Sequence, residues 1–233
     1  LILGPGDDCA IQRVPPGRDL VFSVDTLVEG VPFPEHYHPE YLGWRALAVA
    51  TSDLAAMGAM PVCYTLALTL PEADQNWLAG FARGLARASE AFGIALAGGD
   101  TTRGPLTVTL QVHGTVATGT GLRRNGAQSG DLVCVSGTLG DAGAALDFLA
   151  APEPSAVQQQ VLSRYHFPEP RLSLGQQLVG RASAAIDISD GLLADVQHIL
   201  QASGVGARIN AQDLPVSAAL RQVRGEQALE LAL

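Results

Sequence analysis

The sequence predicts an α+β chain built from two α/β halves. Three observations predict it. Strand-like and helix-like apolar runs alternate along the whole length. A Gly-, Arg- and Asn-rich stretch over 118–130 divides the chain, giving expected domains at 1–120 and 128–233. Aspartates recur just past the expected strand ends in both halves.

In the first half, Leu20–Val24 reads as a strand ending at Asp25. Glu40–Met57 is rich in alanine and leucine and reads as a helix that stops near Gly58. Val62–Leu70 reads as a buried strand before Pro71. Trp77–Phe92 has helical composition with a stop at Gly93, and Ile94–Ala97 is a short strand running into Gly98-Gly99-Asp100. Over 106–116, Leu106, Val108, Leu110 and Val112 alternate with Thr107, Thr109, Gln111 and His113, the pattern of a half-exposed strand. In the second half, strands are expected at Leu132–Val135, Ala184–Ile186 and from Ala207 to Ile209. Helices are expected over 141–149, twice within 157–181, and over 190–202.

Composition excludes several classes of function. With 47% hydrophobic residues over 233 positions, the chain is an ordinary globular one with ample core. Its net charge of -9 leaves no electrostatic footprint for nucleic acid. All 14 basic residues are arginines. A Walker-type phosphate loop needs its lysine, and Schiff-base chemistry needs one too, so neither is available in this segment. Cys9, Cys63 and Cys134 are too scattered for a disulfide framework or a zinc site. No uninterrupted apolar run reaches the roughly 18 residues of a membrane span, and no basic leader opens the chain. A cytoplasmic enzyme is the expectation.

The informative residues are aspartates in Gly/Ser/Thr surroundings. They are Asp7 and Asp8 after Gly4-Pro5-Gly6, Asp25 in Ser23-Val24-Asp25-Thr26, and Asp53 in Thr51-Ser52-Asp53-Leu54. Asp100 lies in Gly98-Gly99-Asp100-Thr101-Thr102, and Asp187 and Asp190 in Asp187-Ile188-Ser189-Asp190-Gly191. Each is flanked by apolar sequence, where a carboxylate is costly unless paired or liganded. Magnesium takes oxygen ligands and keeps positions for phosphate oxygens, and small neighbours let phosphate approach backbone N–H groups. Singly, each motif is also a turn or cap signal. Asp190 is placed to cap its own helix, and Asp141 reads as a turn or cap residue. Together they indicate a metal-dependent enzyme that handles phosphate.

These segments, with Ser52-Asp53-Leu54-Ala55-Ala56-Met57-Gly58-Ala59, Ser129-Gly130-Asp131 and Ser136-Gly137-Thr138-Leu139-Gly140-Asp141, resemble the thiamine-monophosphate kinase family. That family belongs to the ATP-binding group that includes aminoimidazole ribonucleotide synthetase and selenophosphate synthetase. The resemblance implies two α/β domains of the aminoimidazole ribonucleotide synthetase-like type, with nucleotide and metals between them and a homodimer formed through the first. It implies ATP-dependent, magnesium-dependent phosphorylation of thiamine phosphate to thiamine diphosphate.

The same resemblance implies residue roles. Asp8, Asp25, Asp53, Asp100, Asp187 and Asp190 would hold magnesium ions, with Ser23 and the Val24 backbone as minor ligands. Gly99, Asp100, Arg124 and Ser189 match nucleotide-binding positions. Pro32 occupies a position that is usually a substrate-contacting histidine, with His36 or His38 as possible stand-ins or as plain loop residues. The family pattern continues past Leu233 into a thiamine-site segment, so the second domain is expected to be incomplete. The alternatives are a sister ATP-dependent enzyme of the same group and a degenerate Mg-ATP binder.

Overall fold

The computed structural model describes residues 1–6 and 8–233; Asp7, one of the candidate aspartates, lies outside the described residues. The chain forms two compact units. The first comprises Leu1–Gly121 together with Pro170–Arg181, and the second Leu122–Glu169 with Ala182–Leu233.

The first unit is built on a four-stranded sheet. Strand β1 (Arg18–Val28) is followed by helix α1 (Pro39–Ala56), β2 (Met60–Leu70), α2 (Gln75–Phe92), β3 (Ala95–Arg103) and β4 (Thr107–Ala117). The sheet order is β1-β4-β2-β3, antiparallel except for the parallel β2–β3 pair. The alternation read in the sequence of β4 is real. Val108, Leu110 and Val112 are fully buried, while Thr107, Thr109, Gln111 and His113 are only half-buried.

Helix α1 covers the inner face, burying Leu42, Ala46, Leu47, Ala50 and Leu54. Helix α2 packs on α1. Asp74 caps it by accepting the N–H groups of Asn76 and Trp77, and Gly93, at φ 65°, closes its C-terminus in the left-handed conformation. The sheet's buried Tyr64 hydroxyl is satisfied by Ser89 of α2, 2.9 Å away.

The other sheet face carries apolar side chains of β1. Phe22 is 63% exposed and Val24 60%, and Phe22 stacks on His113 with ring centroids 6.0 Å apart. Burial lowers the pKa of His113.

Two corrections to the sequence reading concern this unit. Asp25 and Asp100 do not follow strand ends; both lie inside strands, β1 and β3. The reason is pairing. The β1 ladder with β4 continues through Thr26, Leu27 and Val28, and β3 runs on through its glycines because β2 pairs with it as far as Arg103. In addition, helix α5 (Leu172–Leu178), from the expected second domain, belongs to the first unit. Gly175 permits this, since a Cβ there would lie 2.0 Å from the Ala55 carbonyl oxygen. Gln176 donates its side-chain amide to the Ala59 carbonyl at 3.2 Å.

The second unit gathers helices α3 (Asp141–Ala145), α4 (Ala156–His166), α6 (Leu192–Ser203) and α7 (Ala218–Arg224). Ser155 and Gln158 form a reciprocal capping box at α4. Small cores form around Ala144, Leu220 and Ala228, and around Leu192, Leu214 and Ala232. The strands expected at 132–135, 184–186 and 207–209 are not assigned as strands. Strand propensity describes side chains suited to a half-buried pleated surface, and a ladder also needs a neighbour. Here Val135 and Ile209 instead pack as single side chains on the Leu192–Leu214–Ala232 cluster.

No helix among the described residues is long and apolar enough to cross a membrane.

The contact between α1 and α2 depends on two glycines. A Cβ on Gly43 would lie 2.3 Å from the Phe81 carbonyl oxygen, and one on Gly84 would lie 2.0 Å from that of Glu40. Helix propensity alone favours Ala over Gly by about 1 kcal/mol. Overpacking costs about 1–3 kcal/mol and works against that gain, so here the steric term wins. Gly84→Ala is therefore expected to lower the thermal midpoint; an unchanged or raised midpoint would show that the helices can separate freely.

Candidate active site

The first unit's candidate residues divide by sheet face. Along β1 the less exposed residues are Val21, Ser23, Asp25 and Leu27, which point toward α1, and the more exposed ones are Leu20, Phe22, Val24, Thr26 and Val28. Asp53, in the last turn of α1, meets Ser23. The serine Oγ donates to Asp53 Oδ2 at 2.5 Å. Asp25 stands two residues along the same face. A groove of about 290 Å³ runs past this pair, lined also by Val21, Leu54 and Met57. A larger groove of about 730 Å³ between the end of α2 and α5 contains none of the candidate aspartates, so volume does not mark the chemistry here.

Asp100 does not join this group within the unit. Register places Asp25 in one row with Leu110, Leu66 and Gly99, and Asp100 in the next row with Ala67 and Thr109. Asp100 therefore belongs to the other face and the opposite edge strand. Three interstrand spacings put it about 14 Å away. Gly99 has a structural reason to be glycine, because its Cβ would lie 2.0 Å from the Leu66 carbonyl oxygen. Asp8 is exposed, in the segment between the bridged residues Leu3 and Ile11.

Pro32 lies in a tight turn in which the Gly30 N–H donates to the Phe33 carbonyl at 2.8 Å. Nearby, His36 adopts φ 55°, and its N–H donates to Glu29 Oε1 at 3.1 Å. His38 precedes α1 and its ring lies 4.6 Å from that of Tyr41.

In the second unit, two loops carry candidate residues. Arg124 is exposed, and its carbonyl accepts the Ser203 hydroxyl at 2.8 Å. The loop around it is pinned by Asp131, which accepts from Ser183 Oγ and the Gln128 N–H. These hydrogen bonds hold the Asp131 carboxyl below its ordinary pKa.

The Asp187–Gly191 loop exposes Ser189 and Asp190 and leaves Asp187 half-buried. Asp190 does not cap α6, whose N-cap is Gly191. The backbone N–H groups of this loop are not presented outward for phosphate. Those of Ser189, Asp190 and Gly191 all donate to Asp195 Oδ2, at 2.8, 3.1 and 3.2 Å. Asp195 is a residue the sequence reading missed. Its only signal was an aspartate in the first turn of the helix that follows the loop. Asp141, expected as a turn or cap residue, is the first residue of α3, whose N-cap is Gly140; its carboxylate accepts from Thr138 at 2.8 Å and from the Ser217 hydroxyl.

Among the described residues, no three His, Cys, Asp or Glu side chains converge as a ready-made cation cage. The donors that do assemble, Ser23 and Asp53 with Asp25 on the same face, are all oxygen donors. They fit a hard cation that binds one or two carboxylates and completes its shell with phosphate oxygens and water.

Comparison with known proteins identifies first the class and then the family. Residues 6–116 match the family described as AIR synthase related protein, N-terminal domain, and residues 128–232 match the corresponding C-terminal domain. Thiamine-monophosphate kinase of Salmonella typhimurium is 47% identical over 99% of this chain and 72% of its own length; that of Escherichia coli K12 gives the same figures. The solved thiamine-monophosphate kinase of Stenotrophomonas maltophilia K279a superimposes with a TM-score of 0.95 at 46% identity, over 99% of this chain and 76% of that one. AaThiL, solved in complex with AMPPCP and TMP, gives 0.90 at 32% identity over 96% and 74%. The chain belongs to the thiamine-monophosphate kinase family and spans 72% of the length of these two curated relatives.

The close approach of Gly99 to β2 yields a test. Gly99→Ala is expected to cost about 1–3 kcal/mol of stability through the β2–β3 contact, read as a lower thermal midpoint. A variant that keeps its stability and loses only nucleotide affinity would show that the glycine serves the ligand alone.

Proposed function

We propose that this protein transfers the γ-phosphoryl group of ATP to thiamine phosphate, forming thiamine diphosphate with the help of magnesium, in the cytoplasm. The observation that carries the reading is the 47% identity to thiamine-monophosphate kinases over 99% of the chain. It is supported by a 32% identical relative solved with AMPPCP and TMP bound.

The nucleophile is a phosphate oxygen of thiamine phosphate. A phosphate monoester has a second pKa of about 6, so at neutral pH this oxygen is already largely deprotonated and no general base is required. A candidate site rich in aspartate and poor in histidine suits that chemistry. The obstacle is repulsion between two polyanions. Magnesium, when bound, supplies the charge neutralisation and in-line alignment that such a transfer needs. Asp8, Asp25, Asp53, Asp100, Asp187 and Asp190 are the residues we assign to hold it, with Ser23 and the Val24 carbonyl as minor donors. Gly99, Asp100, Arg124 and Ser189 are assigned to the nucleotide, and the turn around Pro32 to the thiamine side.

We further propose a homodimer through the first unit. Two observations support it. The sheet's outer face carries Leu20, Phe22, Val24 and Val28, all exposed. The strands β1 and β3 are both sheet edges, which proteins usually cover or close. A second copy laid on this face covers the apolar side chains, and we assign the partner's Asp100, carried on that same outer face, to the site at the β1 edge.

Subunit mixing tests this assignment. In the full chain, Asp53→Ala and Asp100→Ala are each expected to cut the rate of thiamine diphosphate formation by about 10²–10³ with little change in thermal midpoint. Each hybrid dimer would hold one intact site, so mixed and reassembled subunits should regain about a quarter of parental activity. A mixture as inactive as its components would remove the shared site.

A further inference from the structure

We infer that Asp195 is the positioning residue that turns the start of helix α6 into a cation-facing loop, presenting Asp187, Ser189 and Asp190 to the magnesium–nucleotide complex. The inference rests on the kinase reading above. Asp195 is 3% exposed, and a buried carboxylate is costly unless hydrogen-bonded. Its Oδ2 accepts three consecutive backbone N–H groups, those of Ser189, Asp190 and Gly191.

The consequence follows from what a helix N-terminus ordinarily does. Unsatisfied N–H groups and the positive end of the helix dipole make it a site for anions. Here α6 has no side-chain cap at Gly191, and the anion comes from within the helix, from its own first turn. The loop's N–H groups turn inward to the carboxylate while Ser189 and Asp190 remain exposed. With the positive end answered internally, the loop's outward surface carries Ser189 and Asp190 beside the half-buried Asp187, and that charge suits a cation. Gly191, at φ 120°, provides the turn between loop and helix. Asp195 thus acts through the loop and needs no contact with ligand.

The test uses the full chain and the magnesium complex of AMPPCP, with affinity read by calorimetry. Asp141→Asn is the matched control. Asp141 is likewise a buried carboxylate of the second unit, but it is held by Thr138 and Ser217 away from the loop. Asp195→Asn keeps the shape and removes the charge. It is expected to weaken binding about 10- to 100-fold, the usual effect of losing a group that orients metal ligands. Asp141→Asn is expected to lower the thermal midpoint and leave the affinity unchanged.

Equal affinity changes in the two variants would make Asp195 a fold residue only and overturn the inference. Asp195→Glu keeps the charge and should bind more tightly than Asp195→Asn; equally weak binding by both would also overturn it. A parent that binds the complex yet forms no thiamine diphosphate would refute the kinase reading and leave the Asp195 comparison intact, because that comparison is read by binding.

Discussion

The packing of helix α1 against the inner face of the four-stranded sheet fixes where the oxygen donors of the first unit can stand. Leu42, Ala46, Leu47, Ala50 and Leu54 bury one side of the helix on the sheet. That contact sets the rotation of α1, and the rotation delivers Asp53 to Ser23. Strand alternation then puts Asp25 on the same face and Val24 on the other. The close approach of α2, permitted by Gly43 and Gly84, holds α1 down from the far side. The candidate site is thus a by-product of core packing, which explains how polar groups are held in place without a dense polar network of their own.

Charge is handled the same way in both units. An acidic chain that meets polyanions must place its carboxylates where cations can reach them and occupy those carboxylates that would otherwise repel. Asp131 and Asp141 are occupied by hydroxyl and N–H donors that tie loops to their unit. Asp195 is occupied by three N–H groups of one loop. Asp25 and Asp53 share one face of the first unit, with Asp53 accepting the Ser23 hydroxyl, and Asp187 and Asp190 share one loop of the second; these are among the carboxylates we propose for the cation. A phosphoryl transfer between two anionic substrates needs positioning and charge neutralisation above all, and little proton movement.

The sequence revealed those parts whose signal is periodic. The α1 and α2 helices and the β2 and β4 strands stood out because apolar spacing and Gly or Pro stops coincide with their ends. Asp25 and Asp100 were misplaced because a polar residue inside a strand looks like the end of one; only the partner strand shows that the ladder continues. The second unit's expected strands failed for the converse reason, since suitable side chains do not supply a neighbour. The docking of α5 rests on Gly175 meeting the Ala55 carbonyl and on Gln176 meeting that of Ala59, contacts between residues far apart in sequence that leave no local trace. The candidate aspartates were legible as a set through their small neighbours, while Asp195 was not, because its partners are backbone groups that any sequence has.

The most direct measurement supplies the full-length protein with Mg-ATP and either thiamine phosphate or free thiamine, and separates the products by chromatography. The account predicts thiamine diphosphate from thiamine phosphate and no phosphorylated product from thiamine. Absence of thiamine diphosphate, with the magnesium–nucleotide complex still bound, would contradict it.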